Sequence, residues 1–325
     1  MKKHFKKLLL MALMVVMAVG LIACGTDKSD NESTKEEKTS VTITSLDASK
    51  NEIELEVPYN PKRIAILDLA SLDIIDELGV GDRVVGMAST SIDYLEKYSN
   101  DASIKNLGTI KEADLEAVME CEPDIIFIGG RLSKSYDALS EIAPVVYLAT
   151  DTNEGLVNSV SKNAKTIASI FGMEDKVDSL MSDFGARIDA IKKISSGKTA
   201  LVGMTTSGSF NLLGNDGRCS LIGVEAGFNN LTAAGSTSTH GNETSFETVV
   251  KQNPDYIFVM DRDSAISTAG AKNAKEIVEN ELVKTTDAYK NNHIIYLEHS
   301  NVWYTAEGGI QALDIMLTDL EKGLK

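Results

Sequence analysis

Two stretches of this chain repeat each other at a constant offset of 131. Residues 116–131 read EAVMECEPDIIFIGGR, and residues 247–262 read ETVVKQNPDYIFVMDR. The offset pairs Glu116 with Glu247, Pro123 with Pro254, Asp124 with Asp255, Phe127 with Phe258 and Arg131 with Arg262. Each stretch reads as a helix that stops before Pro-Asp, because the residue before a proline is biased away from helical backbone. A short apolar run follows, suited to a buried strand of a parallel sheet. An arginine then stands at the strand's carboxyl end. Shared register at five positions implies one αβ unit used twice, and so two similar lobes. A gap between two lobes, with an arginine at matching strand ends, suits an anionic ligand.

The segments around the repeat extend this pattern. KRIAIL at 62–67 predicts a first buried strand, and Leu72, Ile75 and Leu78 mark a helix stripe ending at Gly79. Val84–Gly86 predicts a second strand, 136–142 a helix and 145–148 a strand. Val157, Val160, Ala164, Ile167 and Phe171 then follow helical spacing, as do Val177, Leu180, Phe184, Ile188 and Ile191 after Gly172. The second run spans about 20 residues, or ~30 Å of helix. From Thr199 the pattern restarts, with strands at 200–204, 257–260 and 294–297, a helix at 218–226 and a closing helix through Leu320. The prediction is an α/β protein of two Rossmann-like lobes with mostly parallel sheets, joined by a long rigid bridging helix. The lobes are placed at 46–171 and 196–325, and the bridge at 172–195.

The amino terminus is a targeting segment. Four lysines precede an apolar run in residues 1–23, the arrangement of a secretory signal. Leu21-Ile22-Ala23-Cys24 resembles the bacterial lipobox, which implies lipidation of Cys24 and a membrane anchor there. Residues 25–40 contain no aliphatic or aromatic side chain, so residues 24–45 are expected to form a lipidated flexible tether. The net charge is −16 over the full chain; residues 1–23 carry four lysines and no acid, so the remainder sits at −20. That balance argues against nucleic acid as a partner and makes any convergent arginines more informative. Cys121 and Cys219 fall in different lobes and are expected to be buried free thiols.

Enzyme motifs are absent: there is no Walker loop, GxSxG, GxGxxG after a strand, or HExxH. Catalysis is not expected and no intrinsic cofactor is implied. A metal site built from His240, His293 and His299 has no recognisable ligand spacing. On residue type alone Tyr304 is open between core and pocket, Trp303 between core and pocket wall, and His240 between loop histidine and ligand.

Four further passages, PKRIAILDLASLDIIDELGVGDRVVG, GRCSLIGVEAG, STHGNETSFE and VWYTAEGG, together with the two Pro-Asp units, carry a family resemblance. Over its whole mature length the chain resembles the ferric-siderophore-binding lipoproteins of bacterial ABC importers, the class III substrate-binding proteins with a helical bridge. It is most similar to members that bind catecholate or mixed catecholate–citrate siderophores such as petrobactin and enterobactin derivatives. The resemblance implies a cleft lined by Arg131, Arg218 and Arg262, with His240 and Tyr304 able to complete the coordination of the cargo's ferric iron, and Trp303 beside them. A tetradentate siderophore leaves two iron sites for Tyr304 and His240, whereas a hexadentate one leaves them as hydrogen-bond partners. Three planar, permanently charged guanidiniums suit a multiply charged ferric catecholate. One departure is Cys219, where relatives often carry an aromatic. Glu116 and Glu247 match the pair that docks onto the ABC permease, with Glu112, Glu120 and Glu243 nearby as substitutes.

The resemblance further implies a monomer held at the outer face of the cytoplasmic membrane, in a Gram-positive setting. A haem carrier of the same fold is the alternative, with His240 and Met87 or Met260 as axial ligands. His299 competes with His240 by its closeness in sequence to Tyr304. A cobalamin carrier has little use for clustered arginines, and an extracytoplasmic enzyme lacks a nucleophile–base motif.

Overall fold

The repeat folds as the same unit in both halves of the computed structural model, which describes residues 38–234 and 237–325. Helix Leu115–Glu120 begins at Asp114, whose side chain accepts the Ala117 N–H; helix Phe246–Gln252 begins at Ser245, whose side chain accepts the Thr248 N–H. Both helices end in a non-glycine residue with left-handed backbone just before the proline, Glu122 with φ 43° and Asn253 with φ 41°. The following aspartates do one job. Asp124 Oδ2 accepts the Lys62 and Arg63 N–H groups at 2.7 and 2.9 Å. Asp255 Oδ2 accepts the Thr199 N–H and hydroxyl, both at 2.8 Å. Each Pro-Asp therefore pins the start of the adjacent strand, which accounts for their conserved spacing within the chain.

Strand Ile125–Ile128 lies inside a five-stranded parallel sheet in the order Lys105–Asn106, Val84–Met87, Ile64–Leu67, Ile125–Ile128, Val145–Tyr147. Strand Tyr256–Asp261 holds the matching place in the second lobe, parallel to Thr199–Thr206 on one side and Ile294–Tyr296 on the other. Ser209–Leu212 and Asn242–Glu243 extend that sheet antiparallel, and Asn229–Asn230 pairs in parallel with the start of Thr199–Thr206. Each lobe has an apolar core of its own on one sheet face. A third core is continuous between the lobes and contains Leu72, Ile75, Phe127, Ile167, Phe258 and Leu313.

Four expectations need correction. The tether does not reach residue 45: Ser40–Leu46 pairs antiparallel with Glu52–Pro58, and this hairpin packs on helix Leu156–Phe171. The alternation of Val41, Ile43 and Ser45 with outward polar residues was the overlooked strand signal. The bridge is not one rod over 172–195. Glu174–Leu180 and Phe184–Ser195 are separate helices. Ser182 Oγ takes the Ser179 carbonyl at 2.8 Å, and the Ser182 N–H bonds to the same carbonyl, so the backbone turns there. The helix predicted at 218–226 is reduced to Ser220–Gly223.

Finally, the closing helix Ile310–Gly323 is not confined to the second lobe, because it packs on Leu69–Glu77 of the first. Asp73 caps it from that helix: its carboxylate accepts the Gln311 and Ala312 N–H groups, both at 2.9 Å, and the Tyr94 hydroxyl at 2.6 Å. A Cβ on Gly309 would come within 2.3 Å of that carboxylate, so only glycine permits the approach. Residues 1–37, which include the signal, Cys24 and most of the tether, lie outside the described residues. Among the described residues no helix is long and apolar enough to cross a membrane.

Candidate functional site

The two repeat arginines leave their strands toward a common point. Arg131 follows Ile125–Ile128 through Gly129 and Gly130, and Arg262 directly follows Tyr256–Asp261. The point is the ring of Tyr304 in helix Ser300–Thr305. The guanidinium carbon lies 5.5 Å from the ring centroid for Arg131, 5.6 Å for Arg262 and 4.5 Å for Arg218. Arg262 Nε donates to the Tyr304 hydroxyl at 3.1 Å, and Arg131 donates to the Tyr304 carbonyl at 2.9 Å. Arg262 is steadied further by Thr206 Oγ1 and by the buried carboxylate of Asp263, at 3.1 and 3.2 Å. The first lobe supplies one arginine and the second lobe two.

This clustering perturbs the groups inside it. Burial pushes the Tyr304 phenol up, but the Arg262 hydrogen bond and the charges of Arg218, Arg262 and Arg131 outweigh it, leaving the phenol below its ordinary value. Arg131 is held below the usual guanidinium range by burial and by the charge of Arg218. His240 is exposed, in a loop tied down by Asn211 Nδ2 on the His240 carbonyl at 2.8 Å and by Arg218 on the Thr239 carbonyl at 2.7 Å. Partial burial, then the charges of Arg262, Arg218, Lys111 and Arg131, keep its imidazole below the ordinary value. The same cations thus lower both Tyr304 and His240.

A cavity of about 680 Å³ opens beside this cluster, within the range of small-molecule sites. Arg131, Arg218, Tyr304, Asp68, Tyr147 and Glu307 are in its wall. Arg262 and His240 are not among its lining residues. Burial pushes Glu307 up to about 7, against the Cys219 N–H and Arg218, with Glu225 adding to the rise and Arg131 opposing it. Burial likewise raises Asp68, against its bonds from Ser71 and the charge of Arg131. Glu307, Asp68 and Asp263 escaped sequence reasoning. For Glu307 the available signal was a lone acid between Ala306 and two glycines in a buried segment.

Other predicted residues resolve differently. Trp303 does not reach the cavity: it is 0% exposed and its indole donates to Asp319 at 2.9 Å. It belongs to the core, because consecutive residues on this helix turn point apart and Tyr304 takes the cavity side. His299 is no rival to His240, since its Nδ1 is 2.7 Å from the same Asp319 carboxylate. Met87 and Met260 are buried in the inter-lobe core at 2% and 0% exposure, so neither thioether is free to be an axial haem ligand. Cys219 is buried and a free thiol, as is Cys121. Glu116 and Glu247 are both exposed, each the second residue of its repeat helix.

Comparison with known proteins agrees with this architecture. Residues 64–300 match the periplasmic binding protein family. The petrobactin-binding protein YclQ of Bacillus subtilis is 36% identical over 98% of this chain and 99% of its own length. Its crystal structure aligns with a TM-score of 0.80, over 88% of this chain and 99% of that one. The periplasmic catecholate-siderophore binding protein VctP of Vibrio cholerae aligns at 0.78 with 31% identity, over 87% and 100%. The siderophore-binding protein BauB, solved with two acinetobactin molecules and ferric iron, aligns at 0.76 with 28% identity, over 88% and 99%. With two α/β lobes, a family match across most of both and relatives covered almost end to end, this chain belongs to the periplasmic binding protein family and is a binding protein, not an enzyme.

Proposed function

We propose that this protein captures a ferric catecholate-type siderophore between its lobes and delivers it to an ABC permease for iron uptake. The carrying observation is the convergence of Arg131, Arg218 and Arg262 on Tyr304, in a chain whose overall charge is −16. Three guanidiniums match the charge of a ferric catecholate and offer forked donors to its oxygens. Ferric iron is a hard acid, and a phenol depressed by three cations is a ready hard-oxygen ligand. His240, whose imidazole partial burial and the nearby cations hold below its ordinary value, is the second candidate ligand from the chain. The iron arrives and leaves with the siderophore as cargo. Similarity to YclQ, VctP and BauB supports this reading of the ligand class.

Docking is assigned to Glu116 and Glu247, one per lobe, in identical exposed positions of the repeat. Cys24 carries the lipid that holds the protein at the outer face of the cytoplasmic membrane of a Gram-positive cell, where it acts as a monomer.

The test is a titration of the full chain with a ferric bis-catecholate, a ferric hydroxamate and haemin, read by visible absorbance. Trp303 is sealed in the core, so the charge-transfer band of the ferric complex is the better reporter. A saturable band shift with the ferric catecholate alone, altered in Tyr304→Phe, is the expected result. A Soret shift with haemin and no response to the catecholate would replace this reading with a haem carrier.

A further inference from the structure

Glu307 stands three residues beyond Tyr304, just past the end of helix Ser300–Thr305, and its side chain lines the cavity with Arg131, Arg218 and Tyr304. A carboxylate in the wall of an anion-binding cavity repels the ligand, so its presence there asks for a reason. Its Oε1 accepts the Cys219 N–H at 2.9 Å. Cys219 is a buried, non-glycine residue with φ 61°, in the left-handed region that a side chain adopts only when its surroundings hold it there. It directly follows Arg218 and directly precedes helix Ser220–Gly223. The backbone on which Arg218 stands is thus strained, and a partly buried hydrogen bond restrains it.

Arg218 depends on that restraint more than the other two arginines. Arg262 is gripped by Tyr304, Thr206 and Asp263, and Arg131 hydrogen-bonds to the Tyr304 carbonyl on the helix itself. Arg218 donates to the Thr239 carbonyl in the loop that carries His240. Of the three guanidinium carbons, its own nevertheless lies nearest the Tyr304 ring centroid, at 4.5 Å. Its direction therefore follows from the backbone at 218–219. The same short segment, 304–307, supplies both the phenol and the carboxylate that sets this backbone.

We propose that Glu307 is a positioning residue: by accepting the Cys219 N–H it locks the left-handed turn that aims Arg218 at the bound siderophore. This inference rests on the reading of the cavity as an anionic-siderophore site. Its contribution is geometric, so an uncharged acceptor of the same length serves equally, while a shorter carboxylate does not.

The experiment titrates the full chain with a ferric bis-catecholate in Glu307→Gln, Glu307→Asp and Glu307→Ala, and in Arg218→Ala alone and combined with Glu307→Ala. The expected result is that Gln binds within about threefold of the parent or tighter, while Asp and Ala bind roughly tenfold more weakly. Arg218→Ala should then cost about twofold or less when added to Glu307→Ala, because the guanidinium is already misaimed. Gln as weak as Ala, or costs of Glu307→Ala and Arg218→Ala that simply multiply, overturns the proposal. If Glu307→Ala shows no cooperative thermal transition, the Gln–Asp contrast alone decides. Should Arg218→Ala and Tyr304→Phe leave the parent's affinity unchanged, the site reading itself fails and Glu307 loses its role with it. A change in those two without any change in the Glu307 series removes the positioning role alone.

Discussion

Arg262 Nε donates a 3.1 Å hydrogen bond to the hydroxyl of Tyr304, across 42 positions of sequence. The bond joins the carboxyl end of the repeated strand in the second lobe to the phenol on which the three arginines converge. It stabilises the phenolate over the phenol, and Arg218 and Arg131 act in the same direction.

Ionisation of Tyr304 should therefore occur at lower pH than that of an ordinary tyrosine. Subtracting the ultraviolet titration of Tyr304→Phe from that of the parent isolates this group. In Arg262→Ala the isolated transition should move to higher pH, since the hydrogen bond and one of the three charges are gone and only Arg218 and Arg131 still oppose burial. An unmoved transition would deny Arg262 its effect on the phenol.

Arg131→Ala and Arg262→Ala should each weaken ferric catecholate binding by about ten- to a hundredfold, the worth of one charge-assisted contact. The parent's affinity should also fall as salt rises, and each variant should show a shallower salt slope. Isothermal titration at several ionic strengths measures both. A neutral ligand analogue should show neither effect.

Asp73 links pH to stability. Burial raises its carboxyl from 3.8 to about 6, against the bonds from Tyr94, Gln311 and Ala312. A folded value above the unfolded one means that the native state holds the proton more tightly. The stabilisation is then fully present below about 4 and is lost as pH rises through about 6. The difference is of order 3 kcal/mol. Asp73→Asn cannot titrate, so the stability gap between parent and variant should shift against the parent as pH rises from 4 to 7. Denaturant unfolding across that range reads it. A constant gap would mean that this carboxyl is ordinary in the folded state.

Reversing both docking charges, in Glu116→Lys with Glu247→Lys, should abolish siderophore-dependent iron uptake in cells while leaving ligand affinity in solution unchanged. Uptake equal to the parent's would remove the docking role from this pair.

Much of the architecture was legible because it is written in local, repeated chemistry. The Pro-Asp units, the apolar runs 125–128 and 256–260 and the glycines that end helices each act within a few residues of themselves. Two lobes, buried parallel strands and arginines at matching ends follow from them. The break at Ser182 was hidden because apolar spacing continues through it, while the turn comes from a side-chain hydroxyl competing for a backbone carbonyl. The hairpin Ser40–Leu46 with Glu52–Pro58 was hidden because strongly polar residues flank it.

What the chain determined by itself, then, was the repeated αβ unit and the placement of Arg131 and Arg262 at matching strand ends, whereas Arg218 and Tyr304 were singled out only through the family resemblance. Tertiary structure alone decided which groups meet. It turned Tyr304 toward the cavity and Trp303 toward Asp319, brought Asp73 of one lobe to the amino terminus of the closing helix, and set Glu307 against the Cys219 amide. Those contacts join residues between 16 and 239 positions apart. Their partners are chosen by packing and by the need to satisfy buried polar groups, and neither requirement leaves a periodic trace in the sequence.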